Sequence, residues 1–251
     1  MIPEEEAPRR EEYRLNLSNR SEELERFCSD NRENLKMKAI QTLEGRGCQV
    51  YLVSNAEEVA TQIAEIVQAD TVVTYPNTLF EELGLLEKLR VRGARIIRTD
   101  VQGFARDKRL GVVGSEENLG EKSADCFQDK MKDARLVIRQ EIASASFGLT
   151  GVQAVIANHG SLMLMDEQGS VHSVSSLPYT HIAVASVQQI VPDLTDAMTV
   201  ARQLSLGGTE RVLSRYISLI TGPSSTSDIE GQNVRGMHGP KEVKVILMEG
   251  C

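Results

Sequence analysis

A chain of 251 residues fits one large α/β domain or two small ones, and a globule of that size needs no covalent staples. Its formal charge of −8, from 36 acidic and 28 basic residues, argues against non-specific nucleic-acid binding, which needs a basic face. Aromatic residues are 4% with no Trp, which leaves little for stacking bases or sugars. Residues 1–18 are charged and aperiodic and are expected to be a disordered N-terminal segment, with 19–251 a single domain. Ser21 to Leu43 reads as a helix, with Leu24, Phe27, Leu35, Ala39 and Leu43 roughly on one face. Gly45-Arg46-Gly47 ends it. Cys48 to Val53 is a continuous apolar run, as a buried parallel strand requires. Asn55 caps a helix over 56–68, and Thr71 to Thr74 is a short strand stopped by Pro76. Residues 79–92 read as a helix or a broken pair of turns, followed by a strand at 94–97. Helix and strand thus alternate with short connections, the pattern of a parallel, doubly wound sheet.

The second half is less regular. Leu110 to Val113 suits a strand and Met131 to Ala143 a helix. Leu149-Thr150-Gly151 reads as a turn, Ala154 to Ala157 is apolar, and Leu162 to Met165 is a strand. Val171 to Leu177 and His181 to Val187 are alternating or apolar runs. Asp193 opens a helix with Leu194, Met198 and Ala201 on one side. Tyr216 to Ile220 and Val243 to Leu247 are strands. No linker and no internal repeat divides the chain.

The densest group of turn residues and small hydrogen-bonding side chains lies between those last two strands. Thr221, Gly222, Ser224, Ser225 and Thr226, with Asp228, put hydroxyls and backbone N–H groups where an anion can sit. The same residues suit a turn in which Ser, Thr and Asp cap their own backbone. Asn158-His159-Gly160-Ser161 is the second candidate: it can touch a substrate at a strand edge or simply close a hairpin. His238, in the loop before the last strand, is a candidate acid or base, with Asp228 and Glu230 as weaker catalytic candidates. The four His show no i, i+4 pair, so no metal ligands are assigned. Cys28, Cys48, Cys126 and Cys251 form no C-x-x-C pair, so zinc and ferredoxin-type spacing are absent. The charged start lacks the apolar core of a secretory signal, and no apolar run reaches the ~18 residues that span a bilayer. A cytoplasmic protein without a membrane span is expected.

LITGPSSTSDIE (219–230) followed by VRGMHGPKEVKVILMEG (234–250) resembles the C-terminal signature of the LUD-domain family, in its short lactate-utilization protein C type. FGLTGVQAVIANHGSLMLM (147–165), SLPYTHIAV (176–184) with IVP (190–192), and TLFEELGLLEKL (78–89) agree in order, so the resemblance covers roughly 35–251. It implies a three-layer α/β/α fold with a mostly parallel sheet, similar to that of sugar-phosphate isomerases and CoA-transferases. It implies a part in oxidising lactate to pyruvate, beside a cysteine-rich iron–sulfur subunit and a longer LUD subunit. This chain would be the cluster-free component, binding no cofactor itself, with a small carboxylate as its expected ligand. Many LUD proteins read Glu-Thr-Gly-Thr where Asn158-His159-Gly160-Ser161 stands. Asn158 cannot form an acyl-anhydride, so CoA-transferase chemistry would need another carboxylate such as Asp228 or Glu230. The alternative is a stand-alone enzyme or sensor for a sugar phosphate or acyl-CoA, with the Ser224–Asp228 loop as its anion cradle.

Overall fold

Short strands rich in Val, Ile and Leu form one parallel sheet, buried along its central strands and partly exposed at its edge strands, with helices packed on both faces. The computed structural model describes residues 7–75, 77–99, 136, 138–166, 170–208, 216–227 and 233–250. In chain order these form helices α1 (Ala7–Asp30) and α2 (Arg32–Gly45), strand β1 (Gln49–Val53), helix α3 (Ala56–Val67), strand β2 (Thr71–Thr74), short helices α4 (Thr78–Glu82) and α5 (Leu85–Val91), and strand β3 (Arg95–Arg98). A helical stretch at 138–144 precedes strands β4 (Phe147–Gly151), β5 (Ala154–Ile156) and β6 (Ser161–Asp166) and helix α6 (Ser170–Ser176). Then come β7 (Thr180–Ser186), a 3-10 turn (Val187–Gln189), β8 (Ile190–Val191), helix α7 (Leu194–Gly208), β9 (Tyr216–Ile220), the hairpin β10 (Ser225–Ser227) and β11 (Asn233–Arg235), and β12 (Glu242–Met248).

The central sheet has the order β1-β12-β7-β4-β2-β3, and every pair in it is parallel. The second sheet, β8-β5-β6-β9, mixes parallel and antiparallel pairs. Side-chain alternation along the central strands sorts the core into two sides. Ile182, Val184, Ile246 and Met248 face α3, α4 and α5 through Val59, Ile63, Phe80, Leu85 and Leu89. Ala183, Ala185, Val243, Val245 and Leu247 face α2 and the small sheet through Leu43, Val155, Leu162 and Leu164. The far side of the small sheet, at Ala154, Ile156 and Met163, packs on Ala197 and Ala201 of α7 and on Leu24 and Cys28 of α1. The fold is therefore a three-layer α/β/α arrangement with a parallel central sheet, as expected. The small sheet is inserted beneath the second helical layer.

Several elements differ from the expectation, each for a tertiary reason. A helix occupies 7–30, so helical structure begins inside the stretch expected to be disordered, and the helix read over 21–43 is two helices broken at Asn31. Leu17, Ser21, Leu24 and Cys28 recur at helical spacing and are buried or half-buried within an otherwise charged sequence. Residues 149–151 are not a turn but the end of β4, fully buried between β2 and β7. Residues 170–176 are helical, not extended. There Asp166 Oδ2 accepts from Val171 N at 3.0 Å and from Ser170 Oγ at 3.2 Å at the helix start. The expected strand at 110–113 lies outside the described residues, as does the first part of the expected 131–143 helix.

Candidate functional site

In open parallel sheets, the place to look is beyond the carboxyl ends of the strands, where the direction of winding reverses. Here the chain moves outward from β2 to β3, then returns to β4 and proceeds the other way through β7 to β12. The reversal lies between β2 and β4, and a cavity of about 670 Å³ opens there. Thr78 and Leu79 line it just past β2, Val152 and Gln153 past β4, and Gln188 and Gln189 past β7. Leu24, Glu25 and Cys28 of α1, Arg32 at the start of α2, and Val200 and Leu204 of α7 close the other side.

The crevice exists because β4 and β7 leave the central sheet at the same level. Only two residues separate β4 from β5, and only the 3-10 turn separates β7 from β8. Gln189 ties the two crossings together: its Oε1 accepts from Ser186 N at 2.8 Å and its Nε2 donates to Val152 O at 2.6 Å. Gln153 Oε1 accepts from Met165 N at 2.7 Å, and the Gln153 side chain also hydrogen-bonds the Tyr75 phenol, which fixes the amide. Asn77 Nδ2 donates to the Tyr75 hydroxyl at 3.2 Å. Asn77 can sit there because residue 151 is glycine: a Cβ on Gly151 would come within 2.5 Å of Asn77 Nδ2.

The electrostatics of the lining are simple. Burial holds the Tyr75 phenol above its ordinary pKa, against the pull of hydrogen bonds with Asn77 and Gln153, so it stays protonated. Burial, and then Asp196, hold the Cys28 thiol above its ordinary value, which keeps it a thiol and a poor nucleophile. The charged lining residues are Arg32, which is half-buried, and Glu25, which is exposed. Lys36, Lys88, Arg92 and Arg95 each lie within 3.1 Å of a carboxylate. Arg32 has no such partner among the described residues. Neutral amides, one cation and aliphatic walls suit the holding and orienting of a ligand.

The residues singled out from sequence gather elsewhere. Ser161 Oγ lies 2.8 Å from Thr221 Oγ1, so the 158–161 and 221–226 segments do meet. Asn158 and His159 are exposed in the β5–β6 hairpin, where Gly160 takes φ +63°. A Cβ on Gly160 would press on Thr42 O at 2.5 Å, and Arg46 Nε donates to His159 O at 3.1 Å. Gly222, at φ +94°, lies against the Arg46 carbonyl. Ser224 spends its N–H on Pro240 O at 2.9 Å, and its Oγ accepts from His238 N at 3.3 Å. Ser225 and Thr226 lie exposed on β10, and the His238 side chain is exposed. Asp228 and Glu230 fall outside the described residues. These segments therefore knot together at the C-terminal end of α2, beside the amino ends of β1 and β12. Arg32 and the crevice are at the other end of that 14-residue helix, about 21 Å away. Sequence reasoning missed Asn77, Gln153, Gln189 and Arg32. The available signal was positional for Asn77, which follows the end of the predicted strand 71–74 by three residues; Gln153 was hidden because 149–151 reads as a turn.

The fold and crevice define an α/β protein with a ligand-sized site at its winding reversal. Residues 36–248 match the model of the LUD domain, and the chain belongs to the LUD-domain family. It is similar to a protein named lactate utilization protein B of Geobacillus kaustophilus (strain HTA426), at 25% identity over 91% of this chain and 51% of that protein. The protein of the same name in Bacillus subtilis (strain 168) is 24% identical over 91% of this chain and 50% of that protein. The chain thus spans about half the length of these relatives, which carry the name B where the C-terminal motif had suggested type C. A solved structure described as a duf162 family protein from Deinococcus radiodurans covers 86% of this chain and 98% of its own, at TM-score 0.49 and 18% identity.

Proposed function

We propose that this protein acts in lactate utilization, as a cluster-free component of an iron–sulfur system that oxidises lactate to pyruvate. The observation that carries the reading is the family match over 36–248, with relatives named for lactate utilization. The cysteines favour redox centres held by partner proteins: Cys28 is half-buried and Cys48 buried, on separate elements, and none of the four lies in a C-x-x-C pair. Burial pushes the Cys48 thiol up to about 11, so it stays protonated and is a poor nucleophile. The partners are a cysteine-rich iron–sulfur subunit and a longer LUD subunit, in the cytoplasm.

The test is genetic and biochemical. A strain lacking the chain is expected to lose growth on lactate and to keep growth on glucose. Anaerobic affinity purification from lactate-grown cells is expected to give a brown eluate containing a cysteine-rich partner. Normal growth on lactate with a colourless, solitary protein overturns the reading. It would favour a stand-alone protein for sugar phosphates or acyl-CoA instead, checked by whether Ser225→Ala with Thr226→Ala abolishes stabilisation by those anions.

A further inference from the structure

A three-carbon acid is much too small for the crevice at the winding reversal. Cavities of roughly 300–1,000 Å³ enclose drug-sized ligands, and this one measures about 670 Å³. Its walls are divided by chemistry. Leu24, Val200 and Leu204 of the two outer helices, with Leu79 and Val191, form an aliphatic side. Asn77 and Gln153 line it where the strands end, their amides fixed by hydrogen bonds to the Tyr75 hydroxyl and, for Gln153, to Met165 N. Arg32 supplies a cation that no carboxylate of the described residues neutralises. Glu25, which is exposed, is the other charged residue of the lining.

We infer that this crevice is a binding site for an amphipathic monocarboxylate larger than lactate. The carboxylate pairs with Arg32, a polar group near it meets the amides of Asn77 and Gln153, and an extended apolar portion lies along Leu24, Val200 and Leu204. A guanidinium at a half-buried position is suited to a carboxylate because it offers parallel N–H donors in a fixed plane. The aliphatic side adds affinity in proportion to the apolar area it covers. A dianionic phosphate is disfavoured because the one cation of the lining, Arg32, balances a single ligand charge and leaves the second unpaired in a lining that also holds Glu25.

Calorimetric titration of the full chain with lactate, butanoate, hexanoate and octanoate tests the site, with octanamide as the uncharged control. Affinity is expected to rise roughly three- to fourfold per methylene, the increment that burial of a CH₂ group gives. Arg32→Gln is expected to weaken octanoate at least about tenfold and to leave octanamide unchanged. Val200→Trp, which fills the cavity, is expected to abolish both. Circular dichroism checks that each variant folds, and if Val200→Trp does not, the Arg32→Gln comparison decides alone. Octanoate binding no tighter than lactate, or binding indifferent to Arg32→Gln, overturns the proposal. The site stands apart from the lactate reading: a deletion strain that grows on lactate removes that reading only, and a flat chain-length series removes the site only.

Discussion

Two buried residues show how single side chains set the chemistry on either side of the central sheet. Gly151 has an ordinary backbone conformation, so its role is spatial: it leaves the volume that the Asn77 amide fills. Gly151→Ala is expected to push Asn77 off the Tyr75 hydroxyl, lowering stability by about 1–2 kcal/mol. It should also weaken ligands at the crevice, measured by thermal melts and titration of the same sample. His181, on β7, is fully buried and shares a 2.8 Å hydrogen bond with Thr150 through Nε2. Its Nδ1 has no hydrogen-bond partner among the described residues. Burial lowers its pKa from 6.5 to about 4. The folded state therefore resists a proton that the unfolded chain accepts. Above pH 6.5 both states are neutral and stability is unaffected; as pH falls from 6.5 to about 4 the unfolded state gains the proton and stability declines. The loss is on the order of 3 kcal/mol across that window. Denaturant midpoints from pH 7 to 4 are expected to fall more steeply for the native protein than for His181→Gln, and equal slopes would remove His181 as the cause.

At the scale of elements, local signals were legible wherever the chain satisfied itself locally. Asn55 was readable as a cap, and its Oδ1 accepts from Glu57 N at 3.0 Å and Glu58 N at 3.1 Å. Glu58 Oε2 accepts from Ser54 N at 2.7 Å, tying the residue before the cap to the first turn. Asn55→Ala is expected to cost about 1 kcal/mol, read as a lower melting temperature with an unchanged denaturant slope. The strands β1, β2, β3 and β12 were legible because short stretches rich in Val, Ile and Leu, bounded by turn residues, suit strands. The misreadings fall where tertiary neighbours decide. Gly148 and Gly151 made β4 look like a turn, yet they are small because α6 and Asn77 press on them: a Cβ on Gly148 would overlap the Val174 carbonyl. Helix α1 was obscured because its apolar stripe is narrow and is covered by partners remote in sequence, α7 and the small sheet. The crevice was invisible for a related reason. Its lining comes from α1, α2, α7 and three strand ends far apart in the chain, and no short motif marks it.

For the whole molecule, the two ends of the parallel sheet do separate work. The amino end is a knot: Thr42 Oγ1 donates to Ala157 O at 2.7 Å, Ser161 meets Thr221, Gly222 lies against Arg46 past the end of α2, and Ser224 bonds to Gly236 and Pro240. The carboxyl end is open, and there Lys36 bridges α2 to Glu249 at 2.7 Å beside the crevice. The net charge of −8 repels an approaching anion at long range, so an anion must be captured by a local cation such as Arg32. Sites separated by more than about 7–10 Å contribute independently to stability and binding, and these lie about 21 Å apart along α2. Gly222→Ala places a Cβ against the Arg46 carbonyl at a backbone angle of φ +94°, so it strains the knot twice over. It is expected to lower unfolding stability by about 2 kcal/mol or more while leaving the octanoate affinity of the folded protein unchanged. Gly151→Ala, at the other end, is expected to change both. Paired melts and titrations of the two variants check this: a loss of octanoate affinity in Gly222→Ala would mean that the ends communicate through α2, whose position would then be part of the binding site.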